Sequence, residues 1–377
     1  MWIPVFESRN LGSVPVSVRY WGSPVVLFRT ESGEPGALED ACAHRGIPLS
    51  RGAVRGETIR CNYHHFAYDR GGQCVSIPKM FGCDDASRCN YAVRRFFVRE
   101  ALGLVWISVE DAPDAVFPIE NEAEAEANQD YAFVFNDVDG DIRVWMDHHA
   151  DVDHAAFTHV EWYYPGSAEA PPDVLELNYR VTPDMRYPVM DGFNATLRPV
   201  KRARFWMYYA QAQGLSGLAR GLLGGAAAVP EQTGFRVDVL SPVCIRLHFH
   251  FESGFGKVIH ETVVVLNPLS PGKVCVFILG RTKRRSHWLE RAVGHVMTRS
   301  AARQHIVCED APFLGPAKVV DAGRFRLTPA DRMRYVASRA MLARYLDEKA
   351  KLYPSGSMLH DLCGAAGLAV PDAQERS

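Results

Sequence analysis

The chain has no surplus of either charge: 42 Lys and Arg stand against 44 Asp and Glu in 377 residues. Without a basic excess or stripe, nucleic acid and acidic membrane surfaces are excluded as its main partners. No apolar run reaches the roughly 18 residues that suggest a membrane span; the longest, Leu102–Val109, Val274–Leu279 and the Gly/Ala-rich Gly214–Val229, all fall short. Met1-Trp2-Ile3-Pro4-Val5 lacks the basic and apolar regions of a secretory leader, so a cytoplasmic protein with no integral membrane segment is expected. Nine cysteines are too unevenly spaced for a disulfide framework. In a reducing compartment, Cys and His near one another more often mean metal or redox chemistry. Two cofactor signatures are also missing: a G-x-G-x-x-G following a strand, and the plant-type C-x₄-C-x₂-C cluster motif. Any electrons drawn from a nicotinamide must therefore arrive through a separate protein.

What is present is two sets of metal-binding side chains. Val14–Tyr20 and Val25–Thr30 read as short strands separated by turn residues. Cys42-Ala43-His44-Arg45-Gly46 follows, and, after sixteen intervening residues, Cys61-Asn62-Tyr63-His64. One Cys and one His in each of two loops fit zinc or a Rieske [2Fe–2S] cluster, in which two imidazoles replace two thiolates on one iron. A zinc finger of the C₂H₂ type would instead put both cysteines in one loop and both histidines on one helix. His65 leaves the second imidazole formally open, and the C-x₂-H spacing favours His64.

The second set is Asp147–His159, with four histidines and three aspartates in thirteen residues. Imidazole and carboxylate together suit a divalent first-row metal, iron included. Asp151 and His154 stand i, i+3 and would share a helix face. The step from His154 to His159 turns about 140° past a full revolution at ~100° per residue. A helix carrying both rings to one ion must therefore end or distort near Ala155–Thr158.

These motifs resemble those of the Rieske non-haem iron oxygenases, single-subunit type. The resemblance runs through Cys42-x-His44-Arg45-Gly46-x-x-Leu49-Ser50, Cys61-x-Tyr63-His64, Tyr68-Asp69, Gly72-x-Cys74 and Ile77-Pro78. It then picks up the pattern D-x₂-H-x₄-H at Asp151, His154 and His159. It implies a [2Fe–2S] cluster held by Cys42, His44, Cys61 and His64, and a mononuclear Fe(II) held by His154, His159 and a carboxylate far downstream. In Cys308-Glu309-Asp310-Ala311-Pro312-Phe313-Leu314 that carboxylate is Asp310, with Glu309 as the alternative. It implies that Asp151 bridges His154 to His64 of a neighbouring subunit, and hence a homotrimer. His148 stands where the family often has Asn. It is read as a hydrogen-bonding neighbour of the iron or an ordinary polar helix residue, and His149 as a bystander.

The expected fold class is α+β: an all-β Rieske domain over residues 1–117, an acidic linker over 118–130, a catalytic domain over 131–355 and a tail over 356–377. The catalytic domain is expected to be a curved antiparallel sheet with helices, of the helix-grip or START-like kind. Its strands are read at Val174–Val181, Ala195–Pro199, Arg204–Gln211, Phe235–Leu240, Val243–Glu252, Val258–Leu266 and Val274–Gly280. Alternation puts Arg246, His248 and His250 on one face. Helices follow over His287–Leu314 and Pro329–Glu348. Gln213–Pro230 is read as a mobile lid, and Arg281–Arg285 as a solvated basic flank or a docking patch for an acidic ferredoxin.

The function implied by the resemblance is that of a terminal oxygenase. It would use O₂, and NAD(P)H indirectly through a separate ferredoxin or flavin reductase, to monooxygenate a hydrophobic, ring-containing small molecule. Desaturation, oxidative cyclisation, N-oxygenation and O-demethylation use the same iron. The competing class is a Rieske electron carrier with an appended domain.

Overall fold

The computed structural model describes residues 2–83, 90–110, 129–151, 176–180, 189–193, 231–281 (without 242 and 255) and 288–317, together with His154, Thr158, Ala219 and Leu223. It divides into two compact units. One comprises Met1–Glu120 with Asn267–Ser270 and Ala350–Asp361; the other comprises Asn121–Leu266, Pro271–Lys349 and Leu362–Ser377.

The first unit is all β among the described residues. β1 (Ile3–Glu7), β2 (Val16–Tyr20), β3 (Ser23–Arg29), β4 (Pro35–Glu39), β9 (Arg95–Ala101) and β10 (Leu104–Ser108) form a sheet in the order β1-β10-β9-β4-β3-β2. A smaller sheet joins β5 (Ala53–Arg55), β6 (Thr58–Arg60), β7 (Ala67–Tyr68) and β8 (Cys74–Ser76) in sequence order. Phe28, Leu38, Leu49, Ile59, Phe66 and Tyr68 are buried together in the core of this unit. Between β7 and β8, the Asp69 carboxylate accepts the Gln73 N–H at 2.9 Å, closing the turn across four residues. Gly72 has φ +80°, and a Cβ there would lie 2.1 Å from the Val93 carbonyl. Only glycine fits that crossing.

In the second unit, β11 (Gln129–Asp139), β12 (Glu176–Arg180), β13 (Val189–Phe193), β14 (Glu231–Ser241), β15 (Cys244–Ser253), β16 (Gly256–Ser270) and β17 (Lys273–Arg281) form one antiparallel sheet, ordered β11-β17-β16-β15-β14-β13-β12. Every residue of Val274–Leu279 on β17 is buried, as a strand covered on both faces requires. With helices at Ile142–Ala150 (α1), Trp288–Arg303 (α2) and Ala311–Leu314 (α3), the class is α+β, as expected. β11 and β13 are strands that the sequence reading did not contain. The strands read at 195–199 and 204–211, the helix at 329–348 and the lid segment, save Ala219 and Leu223, lie outside the described residues. So do linker residues 118–128 and basic residues 282–285. On β15, Arg246 and His248 both face Glu261 of β16, at 3.6 Å and 3.7 Å. Arg246 is buried, and His248 and Glu261 are half-buried.

One ion pair ties the first unit's larger sheet across β4. The Arg29 guanidinium, at the end of β3, donates to Glu100 of β9 at 2.5 Å and 3.0 Å. Ser8 donates to the same carboxylate. The Arg29 bonds hold Glu100 below its ordinary value of 4.5, against the opposing effect of burial. A depressed carboxylate contributes stability above its unfolded value and loses it as pH falls through the folded one. The pair is partly exposed, so about 1 kcal/mol is expected. Glu100→Gln should lower urea stability by about that amount at neutral pH, and the loss should vanish once acid has protonated Glu100. An equal deficit at both pH values would contradict this account.

Candidate metal centres

The two Cys/His loops of the first unit are built alike. Cys42 N–H donates to the Ile47 carbonyl at 2.8 Å, and the Cys42 carbonyl accepts from Gly46 N–H at 2.7 Å. In the second loop, Cys61 N–H donates to the Phe66 carbonyl at 2.9 Å, and the Cys61 carbonyl accepts from His65 N–H at 3.0 Å. In both, the residue four after the cysteine is left-handed: Gly46 at φ +69° and His65 at φ +61°. His65 thus occupies the backbone position of a glycine, with an exposed side chain. His64 faces His44, with ring centroids 4.6 Å apart. Of the two imidazoles left open by the sequence, the structure places His64 beside the other donors.

Loop one is anchored by buried Asp40, whose carboxylate accepts from Ser50 N–H (2.7 Å), Ser50 Oγ (2.7 Å) and Ser17 Oγ (2.8 Å). Cys42 and Cys61 are buried free thiols. Phe66 stacks on His44 at 4.6 Å, and Phe81 meets both imidazoles edge-on at 5.3 Å and 5.5 Å. Ala43 N–H donates to the Tyr68 hydroxyl at 3.2 Å, which leaves the phenolic hydrogen for Cys42 Sγ, 3.1 Å away. Burial drives the Tyr68 phenol far above its ordinary range, so it stays a donor. Burial likewise raises the Cys42 thiol. Partial desolvation, then repulsion from His44 and Arg45, lowers His64, keeping it neutral as a metal-bound imidazole must be. His44 Nδ1 is buried with no hydrogen-bond partner among the described residues. An orphaned buried nitrogen beside two buried sulfurs is costly unless a metal takes it, so these four side chains fit a [2Fe–2S] cluster.

The second site begins at α1. The Asp141 carboxylate caps the helix by accepting the Arg143 N–H at 2.9 Å. The approach is fixed by Gly140, where a Cβ would strike the Trp145 indole at 2.4 Å, and Trp145 Nε1 donates to the Asp139 carbonyl at 3.0 Å. α1 ends at Ala150. Asp151 is already non-helical (φ −91°, ψ 87°), so it does not share a regular helix face with His154. The helix thus ends before the break expected near 155–158, and Thr158 N–H donates to the His154 carbonyl at 2.7 Å. The His154 Nδ1 contact to Asp151 runs to the main-chain oxygen, a geometry that fixes the ring and presents Nε2 to a metal. His159 lies outside the described residues.

The carboxylate comes from a π-helical stretch, Gln304–Asp310, between α2 and α3. π segments recur at functional sites because the extra residue per turn re-aims a side chain. Glu309 is held by Gln304 (3.0 Å) and His305 (3.4 Å), whereas Asp310, 4% exposed, turns toward α1. α2 and α3 both pack on β11, the strand that leads into α1. A Cβ on Gly315 would lie 3.0 Å from the Asp139 side chain. His148, His154 and Asp310 therefore converge, with one donor atom of each within 4.8 Å of the others. Two ring nitrogens and a carboxylate so placed fit a single divalent ion. His148, which sequence reasoning set aside, is the unforeseen member of this group.

Residues 1–86 match the Rieske [2Fe–2S] domain. The chain is 38% identical over 90 residues to the 4beta-methylsterol monooxygenase of Methylococcus capsulatus, covering 24% of each. It is 34% identical over 168 residues to the putative toluene-4-sulfonate monooxygenase system iron-sulfur subunit TsaM2 of Comamonas testosteroni, covering 44% of this chain and 45% of that one. The matched segments thus span about a quarter to under half of these relatives. The crystal structure of dicamba monooxygenase bound to 3,6-dichlorosalicylic acid superposes with a TM-score of 0.70 at 19% identity, over 97% of this chain and 98% of that one.

Two outcomes are expected at the cluster loops. Tyr68→Phe removes a hydrogen bond that stabilises the more negative, reduced state, so the midpoint potential should fall by about 50 mV, or about 1 kcal/mol for one electron. Redox titration of the visible absorption reads this directly, and an unchanged potential would show that the hydroxyl does not bond the sulfur. His65→Gly relieves a left-handed β-carbon and should stabilise the folded loop by about 1 kcal/mol, read as slower loss of cluster absorption in denaturant.

Proposed function

From a chain with a Rieske [2Fe–2S] domain at residues 1–86 and the fold of dicamba monooxygenase along its length, we propose that this protein is the terminal oxygenase of a multicomponent system. Its reaction is the O₂-dependent monooxygenation of a hydrophobic, ring-containing small molecule. The observation that carries this reading is that one chain gathers two separate sets of side chains that suit a metal, Cys42/His44/Cys61/His64 in the first unit and the group around His154 and Asp310 in the second. An electron carrier needs only the first. When bound, the cluster and a mononuclear iron supply one-electron transfer and dioxygen activation. One relative named above is a monooxygenase by name and the other the iron-sulfur subunit of a putative monooxygenase system, which favours insertion of a single oxygen atom.

In this reading His154, His159 and Asp310 hold the mononuclear iron, and Cys42, His44, Cys61 and His64 hold the cluster. His154 is kept in one tautomer by the Asp151 main-chain oxygen. The Asp151 carboxylate links His154 to His64 of a neighbouring subunit in a homotrimer, a role taken from the family resemblance. Two imidazoles held by one carboxylate are fixed in orientation and joined by a short path. Electrons come from a separate NAD(P)H-dependent ferredoxin or flavin reductase. Among the described residues no helix is long and apolar enough to cross a membrane.

Iron content tests the assignment first: about three irons per chain are expected for an oxygenase and about two for a carrier. Asp151→Ala should keep all of that iron while turnover falls at least about a hundredfold. Asp310→Ala should lose the mononuclear iron and keep the cluster's colour. Product mass spectrometry under ¹⁸O₂, over a panel of hydrophobic ring compounds, should show one labelled oxygen. Unlabelled product would move the reaction to desaturation or cyclisation.

A further inference from the structure

His148 is positioned as part of the metal site. Its Nε2 lies 3.5 Å from Asp310 Oδ2, and its side chain is 11% exposed. Its ring sits 4.0 Å, centroid to centroid, from that of His154, tilted by 42°. The edge-on Trp145 ring, at 5.8 Å and 83°, backs it from one helical turn away. A charge-assisted N–H···O bond is about 2.7–2.9 Å long, well short of the gap to Asp310. Two donors on one ion, each at about 2.1 Å, stand about 3.0 Å apart at a right angle and about 3.4 Å apart at a tetrahedral angle. The His148–Asp310 separation is close to the second of these.

We propose that His148 is a ligand of the mononuclear metal, so that α1 supplies an imidazole beyond the donors the proposed function assigns. The inference rests on the existence of that mononuclear site. An added imidazole closes one coordination position otherwise open to solvent. It also ties the ion to α1 as well as to the turn at His154 and the π-helix at Asp310. The sphere becomes richer in nitrogen, which raises affinity for the later first-row divalent ions along with iron.

The test uses the full chain with its cluster intact, stripped of mononuclear metal and titrated with Fe(II) alone. Affinity is read by anaerobic equilibrium dialysis, and bound imidazoles are counted by pulsed EPR of the nitric oxide adduct. His148→Asn should weaken Fe(II) binding about tenfold or more and remove one imidazole from the count, with the cluster absorption unchanged. In His148→Gly, added imidazole should restore both affinity and signal, which separates a lost ligand from a damaged fold. Native affinity and an unchanged imidazole count in His148→Asn would overturn the proposal. If His154→Ala then abolished the site, the oxygenase reading would survive that failure. A wild-type chain that takes up no Fe(II) beyond its cluster would overturn both.

Discussion

A carboxylate buried in a protein interior must meet a proton or a positive charge, because leaving it bare costs several kcal/mol. Asp310 is such a carboxylate, and the second unit is arranged to answer it. The π-helix turns it inward, and the packing of α2 and α3 on β11 brings it against the helix that β11 leads into. Two imidazoles then close on it. A divalent cation between the three groups would offset its charge. The glycines at 140 and 315 serve the same end, since each removes a side chain where two of these elements approach most closely.

The first unit solves a related problem with sulfur. A buried ring nitrogen with no hydrogen-bond partner among the described residues, His44 Nδ1, is costly unless something binds it. The two loops meet that need with a repeated backbone pattern, each cysteine hydrogen-bonded at both its N–H and its carbonyl. Phe66 and Phe81 pack around the imidazoles, and Tyr68 brings a hydroxyl to Cys42 Sγ. Burial and hydrogen bonding to sulfur are the levers that set the potential of such clusters. Both units therefore share one feature, a cluster of polar donors, largely withdrawn from water, whose chemistry suits a metal.

The cluster loops were largely legible in the sequence, because their donors are close together and their spacing is fixed by a local turn. The all-β first unit and the antiparallel sheet were legible from alternation and turn residues. β11 and β13 were not: Gln129–Asp139 begins within the stretch read as a linker, and Val189–Phe193 holds Asp191 and Gly192, neither of which favours a strand on its own. The end of α1 was also misplaced. Helical periodicity continues past Asp151 in the sequence, whereas the chain turns there and lets the Asp151 carbonyl meet His154. Arg246 and His248 were correctly put on one face, but nothing local reveals that Glu261, on the next strand, is their partner.

What the sequence by itself determined is the inventory of donors and the chemistry they suit: two thiols and two imidazoles in matched loops, and a second group of imidazoles and carboxylates. Short-range spacing is enough for that, since a turn or a helix carries its own geometry. Only the tertiary structure decided which members of the second group meet. His148 and Asp310 are more than 160 residues apart, and nothing in either neighbourhood encodes their distance. It is set by a strand, a π-helical turn and two close glycine contacts, and those brought into the cluster a histidine that its own surroundings had marked as incidental.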